Sequence, residues 1–237
     1  FDIISLNFLE DIKIDLLKVA SHSVTNIPLI EEITKRNIDA IVSTGMSELE
    51  DIDYVYNFFQ KSNSRLYLLH CISSYPTPDD EINLNIIDTL KNRYKNIIIG
   101  YSGHELGFFT TLMAVAKGAR IIERHITLDK NMIGFDHSLS LEPEELKEMI
   151  VKIRKIEKIL GTNEKKVTEV ELFKKDQYNV SMIANCNIEK GTVLDNNIVV
   201  YKNPGNGILY KNATKMYGKV FNQDVKKDEI IRAEYLD

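Results

Sequence analysis

The sequence has no tryptophan, only two cysteines and no long apolar run. Cys71 and Cys186 lie far apart and form no metal-binding pair, so we expect two buried, reduced thiols in a cytoplasmic protein. No apolar stretch approaches the ~20 residues of a membrane-spanning helix, which argues against membrane insertion. The net charge of −5 argues against non-specific nucleic-acid binding, because such binding needs a basic surface.

The first residues carry no start signal. The chain opens with Phe1 in mid-pattern, without an initiator methionine or a signal peptide. We therefore expect residues before Phe1, and this end tells nothing about targeting. The 237 residues suffice for one large domain, or for a medium domain and a small one.

Five short apolar runs in the first two thirds of the chain are each followed by a helical pattern. Such runs are typical of buried parallel strands. The predicted strands are 16–19, 40–42, 66–69, 97–100 and 120–123, and the predicted helices are 28–35, 49–61, 84–94, 108–117 and 143–160.

These units predict an α/β fold of one of two kinds. A (β/α)₈ TIM barrel needs ~250 residues, and five units fill only part of that length. Either three units precede Phe1, or the units form an open, doubly wound sheet. We favour the last five units of a barrel, because no Gly-rich dinucleotide-binding turn follows any strand.

The composition changes after residue 160. Residues 161–177 are charged and are typical of a linker. Short β-type runs then alternate with turns, including the hairpin signal Asn206-Gly207. The sequence thus predicts barrel residues at 1–160, a linker at 161–177 and a small β-rich domain at 178–237.

Two histidines follow neighbouring predicted strands, His104 after the fourth and His125 after the fifth. The carboxyl ends of parallel strands face the active site in such folds. Imidazole is a common ligand of manganese, iron and zinc ions. The pair predicts a metal site, and the alternative is two hydrogen-bonded structural histidines.

Further polar residues stand at the same strand ends. A lysine and serine hydroxyls there suggest an anionic substrate, such as a phosphorylated one, although serines also simply end strands and cap helices. Tyr75 lies in a loop fixed by prolines and either lines the site or packs the loop down. Asp136 either accepts hydrogen bonds from a polyol or is a solvated turn residue. The candidates for anion binding are Lys18, Ser21, Ser43, Ser73 and Ser102.

Several ordered motifs together resemble the N-acetylneuraminate (sialic acid) synthase family across nearly the whole chain. They include Ser43-Thr44-Gly45-Met46, His70-Cys71-Ile72-Ser73-Ser74-Tyr75-Pro76, Gly100-Tyr101-Ser102-Gly103-His104, Glu123-Arg124-His125, Gly134-Phe135-Asp136-His137 and Lys202-Asn203-Pro204-Gly205-Asn206-Gly207.

The resemblance implies a TIM barrel followed by an antifreeze-like domain. It implies condensation of phosphoenolpyruvate with an open-chain N-acetylated hexose, such as N-acetylmannosamine, to a nine-carbon 2-keto acid and phosphate. The implied cofactor is Mn²⁺, or Mg²⁺ or Co²⁺, on His104 and His125, and the implied state is a domain-swapped homodimer. Lys18 and the four serines match positions that hold phosphoenolpyruvate, and Tyr75, Asp136 and Asn203 match the sugar side.

The chain departs from the family pattern at a few positions. Gly103 stands where the family commonly has Asp, Ser23 where it has an acidic residue, and Asn203 where it has Arg. The acceptor therefore stays open, and legionaminic or pseudaminic acid synthesis from a diacetamido sugar is an alternative. Two hypotheses from different classes are a non-catalytic carbohydrate-binding or assembly protein, and a barrel aldolase with Lys18 as Schiff-base nucleophile.

Overall fold

The computed structural model describes residues 1–237 and contains two compact units, Phe1–Gly161 and Thr162–Asp237. None of the helices is long and apolar enough to cross a membrane.

The first unit is an α/β unit built on one parallel five-stranded sheet. The strands are β1 (Leu16–Val19), β2 (Asp39–Ser43), β3 (Leu66–Cys71), β4 (Ile98–Gly103) and β5 (Ile122–Arg124). The helices are α1 (Ile3–Asp11), α2 (Ile27–Lys35), α3 (Leu49–Gln60), α4 (Ile86–Arg93), α5 (Phe109–Ala116) and α6 (Pro143–Leu160).

Each strand of this sheet pairs with its neighbour in sequence, in the order β1-β2-β3-β4-β5. Right-handed crossovers between consecutive parallel strands put all connecting helices on one face. A doubly wound sheet would instead reverse its strand order at a switch point. The order therefore excludes the open, doubly wound alternative and is that of part of a singly wound barrel.

The core of the first unit lies between the sheet and its helices. Val42 and Leu68 of the sheet are fully buried, as are Ile33 and Val55 on α2 and α3. Burial of each such side chain contributes about 1.5–3 kcal/mol relative to exposure. This packing fixes the strands and, with them, the loops that follow their carboxyl ends.

Local signals set the helix starts. The Asn26 side chain accepts a hydrogen bond from the Leu29 N–H at the start of α2. Capping boxes begin α3, with Glu48 and Asp51, and α6, with Glu142 and Glu145. The predicted units are all present, whereas α1 was not predicted, and β4 extends to Gly103 and so includes Ser102.

The second unit contains α7 (Glu169–Tyr178), β6 (Ser181–Ala184), β7 (Val199–Lys202) and the short helix α8 (Tyr210–Ala213). β6 and β7 are antiparallel, and single bridges such as Phe221 with Leu236 extend the β structure. Met182, Phe221 and Ile231 are buried in its core. The unit is thus small and β-rich, with a core of its own.

Helix α7 lies within the segment that we predicted to be a linker. The Thr168 hydroxyl accepts a hydrogen bond from the Glu171 N–H, and the Glu171 carboxylate accepts one from the Thr168 N–H. At the other end of α7, the Gly205 N–H donates to the Asp176 carbonyl at 2.8 Å. Residues 169–177 are therefore helical and bonded to the second unit, because local capping outweighs their charged composition.

Candidate active site

A cavity of about 460 Å³ lies at the carboxyl ends of the five parallel strands. Its lining includes residues at the carboxyl end of every strand, from Lys18 within β1 to His125 just after β5. All the predicted site residues line it except Asp136 and Asn203. The lining comprises Lys18, Ala20, Ser21, His22, Ser43, Met46, Cys71, Ser73, Tyr75, Ser102, His104, Glu123 and His125.

The parallel register explains how side chains from different strands meet there. Cys71 pairs with Ser102, and Ser102 pairs with Glu123, so these three lie at one level across the sheet. Alternate residues of a strand point to the same face. His104 and His125 each lie two residues beyond Ser102 and Glu123. Their side chains therefore also face the cavity, closer to its opening.

The two histidine rings lie side by side in this cavity. Their centroids are 5.2 Å apart, and the Tyr75 ring lies 4.1 Å from the His104 ring. His104 Nδ1 is 2.8 Å from the Ile72 carbonyl oxygen, so Nδ1 carries the proton that it donates. That tautomer leaves the Nε2 lone pair of His104 free to bind a ligand.

The chemistry of this pair fits a divalent ion. Burial lowers the pKa of His125 despite nearby Asp136, which favours its neutral, metal-binding form. Burial also disfavours charge on His104, but its contacts with Cys71 and the Ile72 carbonyl outweigh burial and raise its pKa. No set of three or more histidine, cysteine or carboxylate side chains is arranged to hold a metal ion, so substrate and water oxygens would complete such a site.

The opposite part of the cavity suits an anion. Ser43 Oγ is buried and has no hydrogen-bond partner, so it can donate to a ligand. Ser21 Oγ accepts from the Gly45 N–H at 3.1 Å. Lys18 Nζ donates to the Val19 carbonyl and lies 3.5 Å from Glu123 Oε2. The lysine ammonium is therefore held at the cavity by its own strand and a neighbouring carboxylate.

Glu123 is a site residue that the sequence reasoning did not single out. Its carboxylate accepts a hydrogen bond from Ser102 Oγ at 2.8 Å and pairs with Lys18. The available signal was its position two residues before His125, which puts both side chains on one face of β5. It adds a negative charge between the lysine and the histidines.

The two cysteines differ from what we expected in one respect. Cys71 is buried at the base of the cavity, 3.5 Å from Ser21 Oγ and 3.9 Å from His104 Nδ1. Cys186 is exposed, contrary to the prediction of two buried thiols, because it lies in a bend just after β6.

The remaining two predicted residues lie outside the cavity lining. Asp136 is half exposed, with Oδ2 3.6 Å from His125 Nδ1. Asn203 belongs to the second unit, where its amide donates to the Tyr178 carbonyl at 2.6 Å. Asp136 is thus placed to orient His125, whereas the Asn203 side chain is engaged at the end of α7.

A comparison with protein families shows to which family the chain is related. The model of the NeuB family matches residues 1–165. The chain belongs to the NeuB family. Relatives in this family are named as synthases, and the chain is an enzyme sequence of this class.

Individual relatives extend the match through the second unit. The N,N'-diacetyllegionaminic acid synthase of Campylobacter jejuni is 38% identical and matches 98% of this chain and 70% of its own length. The human N-acetylneuraminate-9-phosphate synthase is 33% identical and matches 100% of this chain and 66% of its own length. The chain thus spans about two thirds of these relatives.

Solved structures give the same relationship. The N-acetylneuraminic acid (sialic acid) synthetase of Leptospira borgpetersenii is similar with a TM-score of 0.70 and 38% identity, over 73% of this chain and 61% of that chain.

Proposed function

We propose that this NeuB family chain condenses phosphoenolpyruvate with an open-chain N-acetylated hexose, giving a nine-carbon 2-keto sugar acid and phosphate. One observation carries the proposal. A single cavity joins a lysine and a buried, unpartnered serine hydroxyl to a pair of histidines. One side is suited to a phosphorylated acid and the other to polarising a carbonyl group.

Phosphoenolpyruvate is assigned to the lysine and serine side. Its phosphate and carboxylate need cationic and hydroxyl donors, which Lys18, Ser43 and their neighbours supply. The other candidate donors are Ser21 and Ser73, whereas Ser102 lines the same side with its hydroxyl donated to Glu123 Oε1. The Glu123 carboxylate holds Lys18 in place and keeps the Ser102 hydroxyl oriented.

The sugar aldehyde is assigned to the histidine side. His104 and His125 would hold Mn²⁺, or Mg²⁺ or Co²⁺, and the ion would supply Lewis-acid polarisation. Tyr75 lines this side, and Asp136 orients His125. In the reaction, C3 of phosphoenolpyruvate bonds to the aldehyde carbon, whose oxygen takes a proton. Water then adds to C2 and gives up one proton, and the resulting C2 hydroxyl loses its other proton to become the ketone as the C2–O bond to phosphate breaks.

The acceptor belongs to the acetamido hexoses. The relative from C. jejuni is named for legionaminic acid synthesis and the human relative for N-acetylneuraminate 9-phosphate synthesis. We therefore include both N-acetylmannosamine and 2,4-diacetamido hexoses as candidate acceptors, the latter leading to legionaminic-type or pseudaminic-type acids. The nature of residue 23, a buried serine here, bears on this choice.

The proposal extends to the architecture of the whole protein. We infer that the five-stranded sheet is the carboxyl-terminal part of an eight-stranded TIM barrel and that the second unit is an antifreeze-like domain. A domain-swapped homodimer in the cytoplasm would then bring Asn203 of one subunit to the sugar side of the other. Sedimentation of the full-length protein tests the dimer.

The activity is tested by phosphate release from the full-length protein with Mn²⁺, phosphoenolpyruvate and each acetamido hexose in parallel. We expect release with at least one sugar, abolition by EDTA, and loss in His104→Ala and His125→Ala with the fold retained. Tyr54→Phe, an exposed change on α3, is the matched control and should keep full activity. Folded protein that binds the sugars without releasing phosphate would instead support the non-catalytic carbohydrate-binding alternative.

A further inference from the structure

A buried ionic network lies on the opposite face of β4 and β5 from the cavity. Arg124 Nη1 donates to Glu105 Oε1 at 2.6 Å, and both side chains are only 2% exposed. Thr111 on α5 bonds both partners, and the Tyr101 hydroxyl donates to Glu105 Oε2 at 2.8 Å. This network has no place in the substrate assignments above.

Its position in the sequence connects it to the histidines. Glu105 directly follows His104, and Arg124 directly precedes His125. The pairing of β4 with β5 ends at Gly103 and Arg124. Beyond that point, Arg124 Nη2 donates to the backbone carbonyl of Glu105 at 2.8 Å. The Arg124 guanidinium thus holds the backbone next to His104, at the point where the pairing of β4 with β5 ends.

We infer that the Glu105–Arg124 pair is a positioning brace that fixes the spacing of His104 and His125 and so sets the affinity of the site for its divalent ion. The inference rests on the metal role assigned under the proposed function. Neither brace residue lines the cavity, so both act through the histidines and are positioning residues.

The brace also accounts for Gly103. A Cβ atom at residue 103 would lie 2.5 Å from Glu105 Oε2 and 2.7 Å from Tyr101 Cε1. The Glu105 carboxylate therefore fills the space that a side chain at 103 would need. An aspartate at 103 would place its own carboxylate in that space, close to Arg124, provided that residue 105 were small. The Glu105 carboxylate and a side chain at residue 103 therefore compete for the same space.

The test measures Mn²⁺ affinity of the full-length protein from the electron paramagnetic resonance signal of free Mn²⁺. Glu105→Gln keeps the volume and removes the charge, and we expect at least about a tenfold loss of affinity, the scale found for residues that orient metal ligands. Asp53→Asn is the matched control. It weakens the pair with Arg93, which joins α3 to α4 away from the cavity, and it should leave Mn²⁺ affinity unchanged.

A double variant keeps the test decisive if a lone buried arginine prevents folding. Glu105→Ala with Gly103→Asp moves the carboxylate and should bind Mn²⁺ within about threefold of wild type, an expectation that follows from the retained ion pair. Folded Glu105→Gln with wild-type affinity overturns the brace, even if wild type releases phosphate. A folded double variant without Mn²⁺ binding overturns it as well.

A failure of the proposed metal role can be distinguished from a failure of the brace. If wild type binds no Mn²⁺, the metal role falls, and the brace is judged on the metal-free protein. The ring resonances of His104 and His125 should then shift in Glu105→Gln and stay in place in Asp53→Asn. Unmoved ring resonances in Glu105→Gln would overturn the brace.

Discussion

Gly45 offers a direct test of which hydroxyls hold phosphoenolpyruvate. A Cβ atom at Gly45 would lie 2.3 Å from Ser73 Oγ and 2.8 Å from Ser21 Oγ. The backbone of Gly45 is not in the left-handed region, so alanine is compatible with its conformation. Gly45→Ala should therefore leave the chain folded but turn both serine hydroxyls away from their present positions.

The size of the effect follows from those two hydroxyls. A hydrogen bond to a charged group contributes about 1.5–3 kcal/mol. Loss of one such bond to the phosphate or carboxylate should raise KM for phosphoenolpyruvate roughly 10-fold to 100-fold, since about 1.4 kcal/mol corresponds to a factor of ten. Stability should fall by about 0.5–1.5 kcal/mol, because turning Ser21 Oγ away gives up the hydrogen bond that it accepts from the Gly45 N–H.

The assay is phosphate release at varied phosphoenolpyruvate, together with thermal unfolding. Gly100→Ala is the contrasting variant, because its Cβ would lie 2.3 Å from the Ile121 carbonyl oxygen and 2.4 Å from Leu69 Cδ2. Overpacking of that kind costs about 1–3 kcal/mol of stability. A folded Gly45→Ala with unchanged KM for phosphoenolpyruvate would refute the assignment of Ser21 and Ser73.

Three further changes test separate parts of the structure. Lys18→Met should raise KM for phosphoenolpyruvate at least about 10-fold through loss of a charged donor, and borohydride should trap no substrate on wild-type Lys18; trapping would favour the aldolase alternative. Asp136→Asn should lower Mn²⁺ affinity about 10-fold, because outer partners orient metal-binding histidines; unchanged Mn²⁺ titrations would remove the link to His125. Phe221→Ala, in the core of the second unit, should cost about 3–5 kcal/mol in denaturant unfolding, whereas a loss under about 1 kcal/mol would contradict its burial.

The sequence was a good guide where hydrophobic burial decides the structure. The run at Leu66–Cys71 is a strand that is buried on both faces apart from half-buried Tyr67, so its apolar pattern is nearly continuous. The run at Leu16–Val19 alternates exposed and buried residues, and Leu17 and Val19 face the core. Helix α7 was missed because its residues are mostly exposed, and its capping at Thr168 is a local signal that charged composition obscured. Helix α1 was missed for a similar reason, since Leu6 is its only buried residue.

For the candidate site, the residues at the ends of the predicted strands were the informative feature of the sequence. Position after a strand predicted that Ser43, Ser102 and His104 would share one cavity, and the register brings them there. Glu123 was not predicted, because its role depends on pairing with Lys18 from a strand far away in sequence. The buried Arg124 was likewise beyond prediction, since it points away from the cavity toward Glu105 and α5.

The neighbour-by-neighbour order of the strands has a consequence for synthesis on the ribosome. Each strand finds its partner in the next one to be made, after about 25 residues, or roughly 1–5 s at ordinary translation rates. The sheet can therefore grow in the direction of synthesis, without waiting for the end of the chain. His104 and His125 follow β4 and β5, the last two strands of the sheet, so a nascent chain brings the two imidazoles together only when β5 has joined the sheet.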